Sequence, residues 1–208
     1  ITTQLQLADV LRAERDVSGA LEILLRVRQI REHAPGSAID HMLTRSTVFC
    51  LLEIGRIDAA RITLGPPPYP GGLAIAAALV ELADNEPDIA SDYLDRYRVD
   101  TPRRLLCTSL MQARIADAHA DDDAVDRHLR RSLRIAKREG FVHTVVQMAS
   151  GLVDRFLPIC ASPDDADYVA RLRRANGHGV GIVDLVRAAA ASQLSARELD
   201  VLSYLPTQ

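Results

Sequence analysis

The sequence predicts an all-α fold, a solenoid of antiparallel helical hairpins, and three observations predict it. Apolar residues recur at helical spacing along most of the chain. Short polar turns interrupt that spacing at recurrent, similar places. Strand-like alternation of convincing length is absent from the sequence. Composition agrees: hydrophobic residues make up 48% of the 208 residues, yet aromatics only 4%, and Trp is missing. Sheets draw on β-branched and aromatic residues to fill a pleated surface, whereas Ala, Leu and Arg dominate here.

Residues 3–14 place Leu5, Leu7, Ala8 and Leu11 on one side of a first helix. After a turn at Asp16, a second helix carries Ala20, Ile23, Leu24, Val27 and Ile30, and runs out at Pro35 and Gly36. A second pair spans 39–54 and 58–64, divided at Gly55 and stopped by Gly65-Pro66-Pro67-Pro68. Proline lacks the amide donor and glycine tolerates the turn. A third pair covers 73–83 and 87–97, with Pro87 in the first helical turn, where its missing N–H has no partner to lose. The fourth and longest covers 102–118 and 123–139, and Gly140 ends it. Helices over 142–159 and 164–174 follow, then a break at Asn176-Gly177-His178-Gly179-Val180-Gly181 and a short apolar helix over 182–191.

Four of the turns are alike: Asp16-Val17-Ser18-Gly19-Ala20, Arg56-Ile57-Asp58-Ala59-Ala60, Glu86-Pro87-Asp88-Ile89-Ala90 and Asp121-Asp122-Asp123-Ala124-Val125. Each ends on a small or β-branched residue, followed four positions on by Leu24, Leu64, Leu94 or Leu129. A small residue there lets two helices approach closely, and the leucine fills the gap one turn later. In the first hairpin Leu7, Ala8, Leu11, Ala20, Leu24 and Val27 coincide with the small-and-large pattern of tetratricopeptide repeats, and the others follow it with varying length. The expectation is a tetratricopeptide-like solenoid whose first helices line a concave groove.

The formal net charge of −3 gives no overall attraction to nucleic acid or anionic membranes. Cys50, Cys107 and Cys160 stand far apart, without metal or redox spacing, and read as small buried hydrophobes. The longest apolar run, 73–82, is interrupted by Glu81 and falls well short of the ~20 residues a membrane span needs. The chain opens on Ile1 without a signal peptide, which reads as a cytoplasmic piece of a longer protein.

Near the other end, Ser195 is placed to cap the Glu198 amide and Glu198 to reach back, while Leu194 and Leu199 form a hydrophobic staple. The run Leu194-Ser195-Ala196-Arg197-Glu198-Leu199-Asp200-Val201-Leu202 resembles the opening of the LuxR-type helix-turn-helix. The preceding chain is similar to the repeat region of the large ATP-binding LuxR regulators, the MalT-like family. The resemblance is carried by Ala120-Asp121, Leu129, Ser132-Leu133-Arg134-Ile135-Ala136, Glu139-Gly140-Phe141 and Asp167-Tyr168-Val169-Ala170-Arg171-Leu172. It covers most of the chain and is most specific from residue 110 onward. It implies a sensor region over 1–175, a linker with a short helix over 176–193, and a truncated helix-turn-helix start over 194–208. It further implies an ATP-binding domain on the N-terminal side and a DNA-reading helix beyond Gln208. DNA binding would then need that remainder. The chain's own partners would be a small-molecule effector or a regulatory protein, with no membrane among them.

Site candidates follow from the groove geometry. Arg45, Phe49 and Glu53 of the second hairpin and Arg114 and Asp117 of the fourth face the expected groove. They would hold a small polar effector or an extended peptide, or else form structural ion pairs between successive hairpins. Arg127, Arg130, Arg131, Arg134, Lys137 and Arg138 line one side of a helix, as a solvated outer face or as a basic face for an acidic partner, DNA phosphate or the ATP-binding domain. His119 with Asp121, Asp122 and Asp123 reads as helix capping rather than a metal site. The glycine-rich break lacks the Gly-Lys-Ser/Thr ending of a phosphate loop, and Ser150-Gly151 is no nucleophile elbow. The expectation is a non-enzymatic chain without cofactor or metal. Leu5, Leu7 and Val10 form the apolar face through which it would self-associate.

Overall fold

The structure, a computed structural model, describes residues 2–14, 16–31, 38–97, 100–149, 151–159 and 165–176. Among these residues it is all-helical, with eleven helices and no strand. In chain order they are α1 (Thr2–Ala13), α2 (Val17–Arg31), α3 (Ala38–Glu53), α4 (Ile57–Leu64), α5 (Gly72–Ala83), α6 (Pro87–Asp95), α7 (Pro102–Ala118), α8 (Asp122–Glu139), α9 (Val142–Met148), α10 (Val153–Ile159) and α11 (Ala166–Asn176).

The four similar turns fold alike. In each, one amide reaches back five residues to close the preceding helix: Asp16 to Leu11 at 2.9 Å, Arg56 to Leu51 at 2.8 Å, Glu86 to Glu81 at 2.8 Å and Asp121 to Ala116 at 2.9 Å. In the last three a left-handed residue stands just before the donor. Gly55 (φ +73°), Asn85 (φ +64°) and Ala120 (φ +56°) occupy that place. The following helix begins at once, with Ala20, Ala60, Ala90 and Val125 donating to the carbonyls of Asp16, Arg56, Glu86 and Asp121. All four of these residues are 0% exposed. One turn on, Leu24, Leu94 and Leu129 are buried and Leu64 is half-buried. The end of α8 repeats the device, with Gly140 left-handed and the Phe141 amide bonded to Ala136.

Helices pair as α1 with α2, α3 with α4, α5 with α6 and α7 with α8, and both helices of each pair pack on the first helix of the next. α5 is apolar on all sides and buried from Leu73 to Glu81, as a helix surrounded by others must be. A small core of Leu5, Ala8, Ala20, Leu24, Val27, Leu43 and Cys50 holds the first pair. A larger one runs from Val48 to Leu172, and the half-buried Leu21 touches both. No helix among the described residues is long and apolar enough to cross a membrane.

Four expectations need correction. The helix over 142–159 is two helices: α9 ends at Met148, and Gly151 (φ +76°) turns the chain before α10. Both halves bury residues in one core, Val145 and Met148 before the turn and Val153 and Phe156 after it, so the apolar rhythm bridges the break. Leu7 does not share the buried face, being 48% exposed, and Ile30 is 61% exposed. Of the three residues expected to drive self-association, Leu7 and Val10 are exposed but Leu5 lies inside the first core. Asn176 is the last residue of α11 rather than the first of a linker. The Pro35-Gly36 stop, Cys160, residues 177–193 and the 194–208 helix start lie outside the described residues.

Among the described residues, Ala120 is the one non-glycine in a left-handed turn position whose side chain has no amide. The left-handed penalty is about 1–2 kcal/mol for an L-residue, and glycine's greater chain entropy returns about 0.5–1 kcal/mol of it. Ala120→Gly is therefore expected to stabilise the chain by roughly 0.5–1 kcal/mol in urea unfolding.

A candidate ligand-binding cavity

A cavity of about 480 Å³ opens across the first helices of successive hairpins. Its walls come from Asp9, Val10 and Arg12 of α1, Arg45, Ser46 and Phe49 of α3, and Gly72 and Ile75 of α5. Tyr97, Thr101 and the α7 residues Arg103, Arg104 and Cys107 continue them, and His143, Thr144, Gln147 and Met148 of α9 complete the set. On α3, α5, α7 and α9 successive lining residues fall one or three positions apart, the spacing of a single helical face.

Arg12 is the most deeply set charge. Its side chain is 5% exposed, donates to Glu53 Oε1 at 3.0 Å, lies 3.8 Å from Asp9 and stacks 5.3 Å above the Phe49 ring. Arg104 donates to both carboxylate oxygens of Asp100 at 2.7 Å and stands 5.9 Å from the Tyr97 ring. Its amide bonds Thr101 Oγ1, the cap of α7. Arg45 is half-buried and makes no ion pair among the described residues. Burial lowers its pKa, Asp9 opposes this, and Arg103 and Arg12 add to it. Arginine remains charged regardless. Its side chain lies across the start of α5, where a Cβ on Gly72 would stand 3.1 Å from Arg45 Nη1. The cap of α5 is Gly71, at φ +56° and without a side-chain bond.

Neither described cysteine offers a ready thiolate. Burial pushes the Cys50 thiol up to about 12 and raises that of Cys107 on the cavity wall. The Tyr97 hydroxyl is also raised, by burial first. Among the described residues no group of three or more His, Cys, Asp and Glu is placed to hold a metal ion. The Asp121 carboxylate instead accepts the Ala124 amide at 2.9 Å, capping α8.

The five residues expected in a groove do not converge. Arg45 and Phe49 line the cavity, whereas Glu53 sits behind it on Arg12. Arg114 is buried within α7 outside the lining. Asp117 accepts Arg155 Nη1 at 3.0 Å, and Nη2 of the same arginine reaches Asp122 at 2.8 Å. Glu53 thus ties the first hairpin to the second, and Asp117 ties the fourth to α10. Arg61 does the same, donating to Glu81 at 2.8 Å and Asp84 at 2.7 Å, and His119 lies 3.3 Å from Asp88.

On α8 the side chains of Arg127, Arg130, Arg131, Arg134, Lys137 and Arg138 are all exposed. Lys137 bonds Asp165 and Arg138 bonds Glu139. Sequence reasoning missed Arg12, Tyr97, Arg103, Arg104 and His143. Arg12 carried a signal, since it follows Leu5 and Ala8 on the buried face of α1 by seven and four positions.

No protein-family model matches the chain, and neither does any curated protein or solved structure.

Two outcomes follow. Glu53→Gln leaves the Arg12 charge only the more distant Asp9 carboxylate and is expected to lower unfolding stability by about 2 kcal/mol, while the double change Arg12→Met, Glu53→Met recovers most of it. Burial, then Arg127 and Arg131, lowers the His128 pKa from 6.5. The unfolded chain therefore binds the proton more readily than the folded one. Stability from this source is complete above pH 6.5 and declines as pH falls from there toward the lowered folded value. His128→Gln should flatten that stretch of the stability–pH curve; parallel curves would exclude His128 as the source.

Proposed function

We propose that this chain is the regulatory region of a LuxR-family transcription regulator, a tetratricopeptide-like solenoid that binds an effector or a regulatory protein and so controls DNA binding by the full-length protein. The carrying observation is the cavity shared by α1, α3, α5, α7 and α9. A ligand there touches several hairpins at once, so its binding free energy depends on the angles between them, and mass action makes those angles depend on the ligand. The identically closed turns support a repeat architecture, and the Leu194 to Leu202 run supports a DNA reader joined to it.

On this reading the chain is not itself an enzyme and needs no cofactor. ATP belongs to an N-terminal domain of the full-length protein, DNA to the completed helix-turn-helix, and the whole works in the cytoplasm without a membrane partner. The exposed basic face of α8, Arg127 to Arg138, is available to an acidic partner or a neighbouring domain.

A second reading, a protein-interaction or self-association scaffold, is favoured by exposed Leu7 and Val10 at 48% and 51%. Titrating the full-length protein with metabolite pools and with candidate protein partners separates the two. The regulatory reading expects a ligand that changes DNA or ATP affinity by roughly 5-fold or more. Binding without any such coupling would refute it and leave the scaffold.

A further inference from the structure

We infer that the cavity binds a small organic oxyanion, its carboxylate or phosphate held by Arg45 and its apolar body packed against Phe49, Tyr97 and Met148. This rests on reading the cavity as the effector site and names the class of effector. The charge balance of the walls comes first. Four arginines, Arg12, Arg45, Arg103 and Arg104, line the cavity against one carboxylate, Asp9. Glu53 and Asp100 engage Arg12 and Arg104. Arg45 and Arg103 make no ion pair among the described residues, which leaves positive charge on one wall.

Position comes second. A guanidinium withdrawn from water beside other cations is unfavourable unless an anion compensates it, and Asp9 opposes the effect of burial on Arg45 without cancelling it. The fold nonetheless holds Arg45 there, with Gly72 giving it room at the start of α5. That helix begins on Gly71 with no acidic or hydroxyl cap, so its positive end adds to the same field. Arg45 thus presents a planar fork, the geometry that matches a carboxylate or phosphate in two parallel bonds.

Size comes third. A volume of about 480 Å³ suits a small molecule, whose sites span roughly 300–1,000 Å³, and excludes a folded partner. Phe49, Ile75, Tyr97 and Met148 supply apolar wall beside the cations, so an inorganic ion alone would leave most of the surface unused.

The test titrates the 208-residue chain by calorimetry, at fixed ionic strength, with benzoate, phenyl phosphate, inorganic phosphate and benzyl alcohol. At least one aromatic oxyanion is expected to bind saturably, about 10-fold or more tighter than both benzyl alcohol and inorganic phosphate. Which one wins distinguishes a carboxylate from a phosphate ligand. Arg45→Gln should weaken that probe by about 10-fold or more and exposed Arg103→Gln by about 3-fold. Arg26→Gln, on α2 and outside the cavity, should change nothing. The Arg103 variant keeps the proposal open to refutation should Arg45→Gln unfold. Equal binding of benzyl alcohol, equal losses in the Arg103 and Arg26 variants, or no saturable binding by either aromatic oxyanion up to about 10 mM would each overturn it. Those failures leave the full-length coupling experiment standing, whereas oxyanion binding without coupling would refute regulation and keep the site.

Discussion

The architecture depends on one local constraint, repeated: a helix closed by an amide that reaches back five residues, followed by a helix whose fourth position is small or β-branched and wholly buried. The amide that reaches back five residues sets where the chain reverses. The side chain of Ala20, Ala60, Ala90 or Val125 then sets how near the two helices come. With direction and separation both specified locally, each hairpin needs few long-range contacts to define it. The first helix of each pair meets both helices of the pair before it, and these central first helices also line the cavity.

Ion pairs do different work. Arg12 on Glu53 and Arg61 on Glu81 and Asp84 each join one hairpin to the next, and Arg155 on Asp117 and Asp122 joins α10 to the fourth. Exposed pairs contribute little net stability, and buried ones roughly balance desolvation against attraction. Their value lies in direction. A guanidinium that must meet a carboxylate at hydrogen-bond distance accepts only a narrow range of angles between neighbouring hairpins, which interchangeable apolar contacts would not enforce. Arg12 shows the point most clearly, because the same side chain also stacks on Phe49 and so links the hairpin junction to the cavity wall.

This division explains what was legible in the sequence. The helix pairs, and the small residues at Ala20, Ala60 and Ala90, follow from patterns contained within a few turns, and all could be read directly. Arg45 and Phe49 were legible as a helical face one turn long. Their neighbours were not, because Tyr97, Arg103 and His143 reach the cavity only through the stacking angle of three separate hairpins. No spacing in the chain encodes that angle. The break at Gly151 stayed hidden for the opposite reason: two short helices that bury residues in one core preserve the apolar rhythm of a single long one. Leu7 misled because an apolar residue on a short helix is ambiguous until its neighbour is in place.

Cavity and hairpin junctions share side chains, and this bears on how occupancy would propagate. Phe49 touches the cavity and Arg12, and Arg12 holds Glu53 near the end of α3. Arg104 lines the same space while anchored to Asp100 just ahead of α7. An anion entering beside Arg45 competes for these guanidiniums with the carboxylates that now orient them. Any redistribution of those bonds alters the restraint between α1 and α3 and at the start of α7, without a new contact elsewhere. A site built from the joints of a stack is therefore suited to converting ligand charge into a change of curvature, which a pocket enclosed within one rigid hairpin would not do.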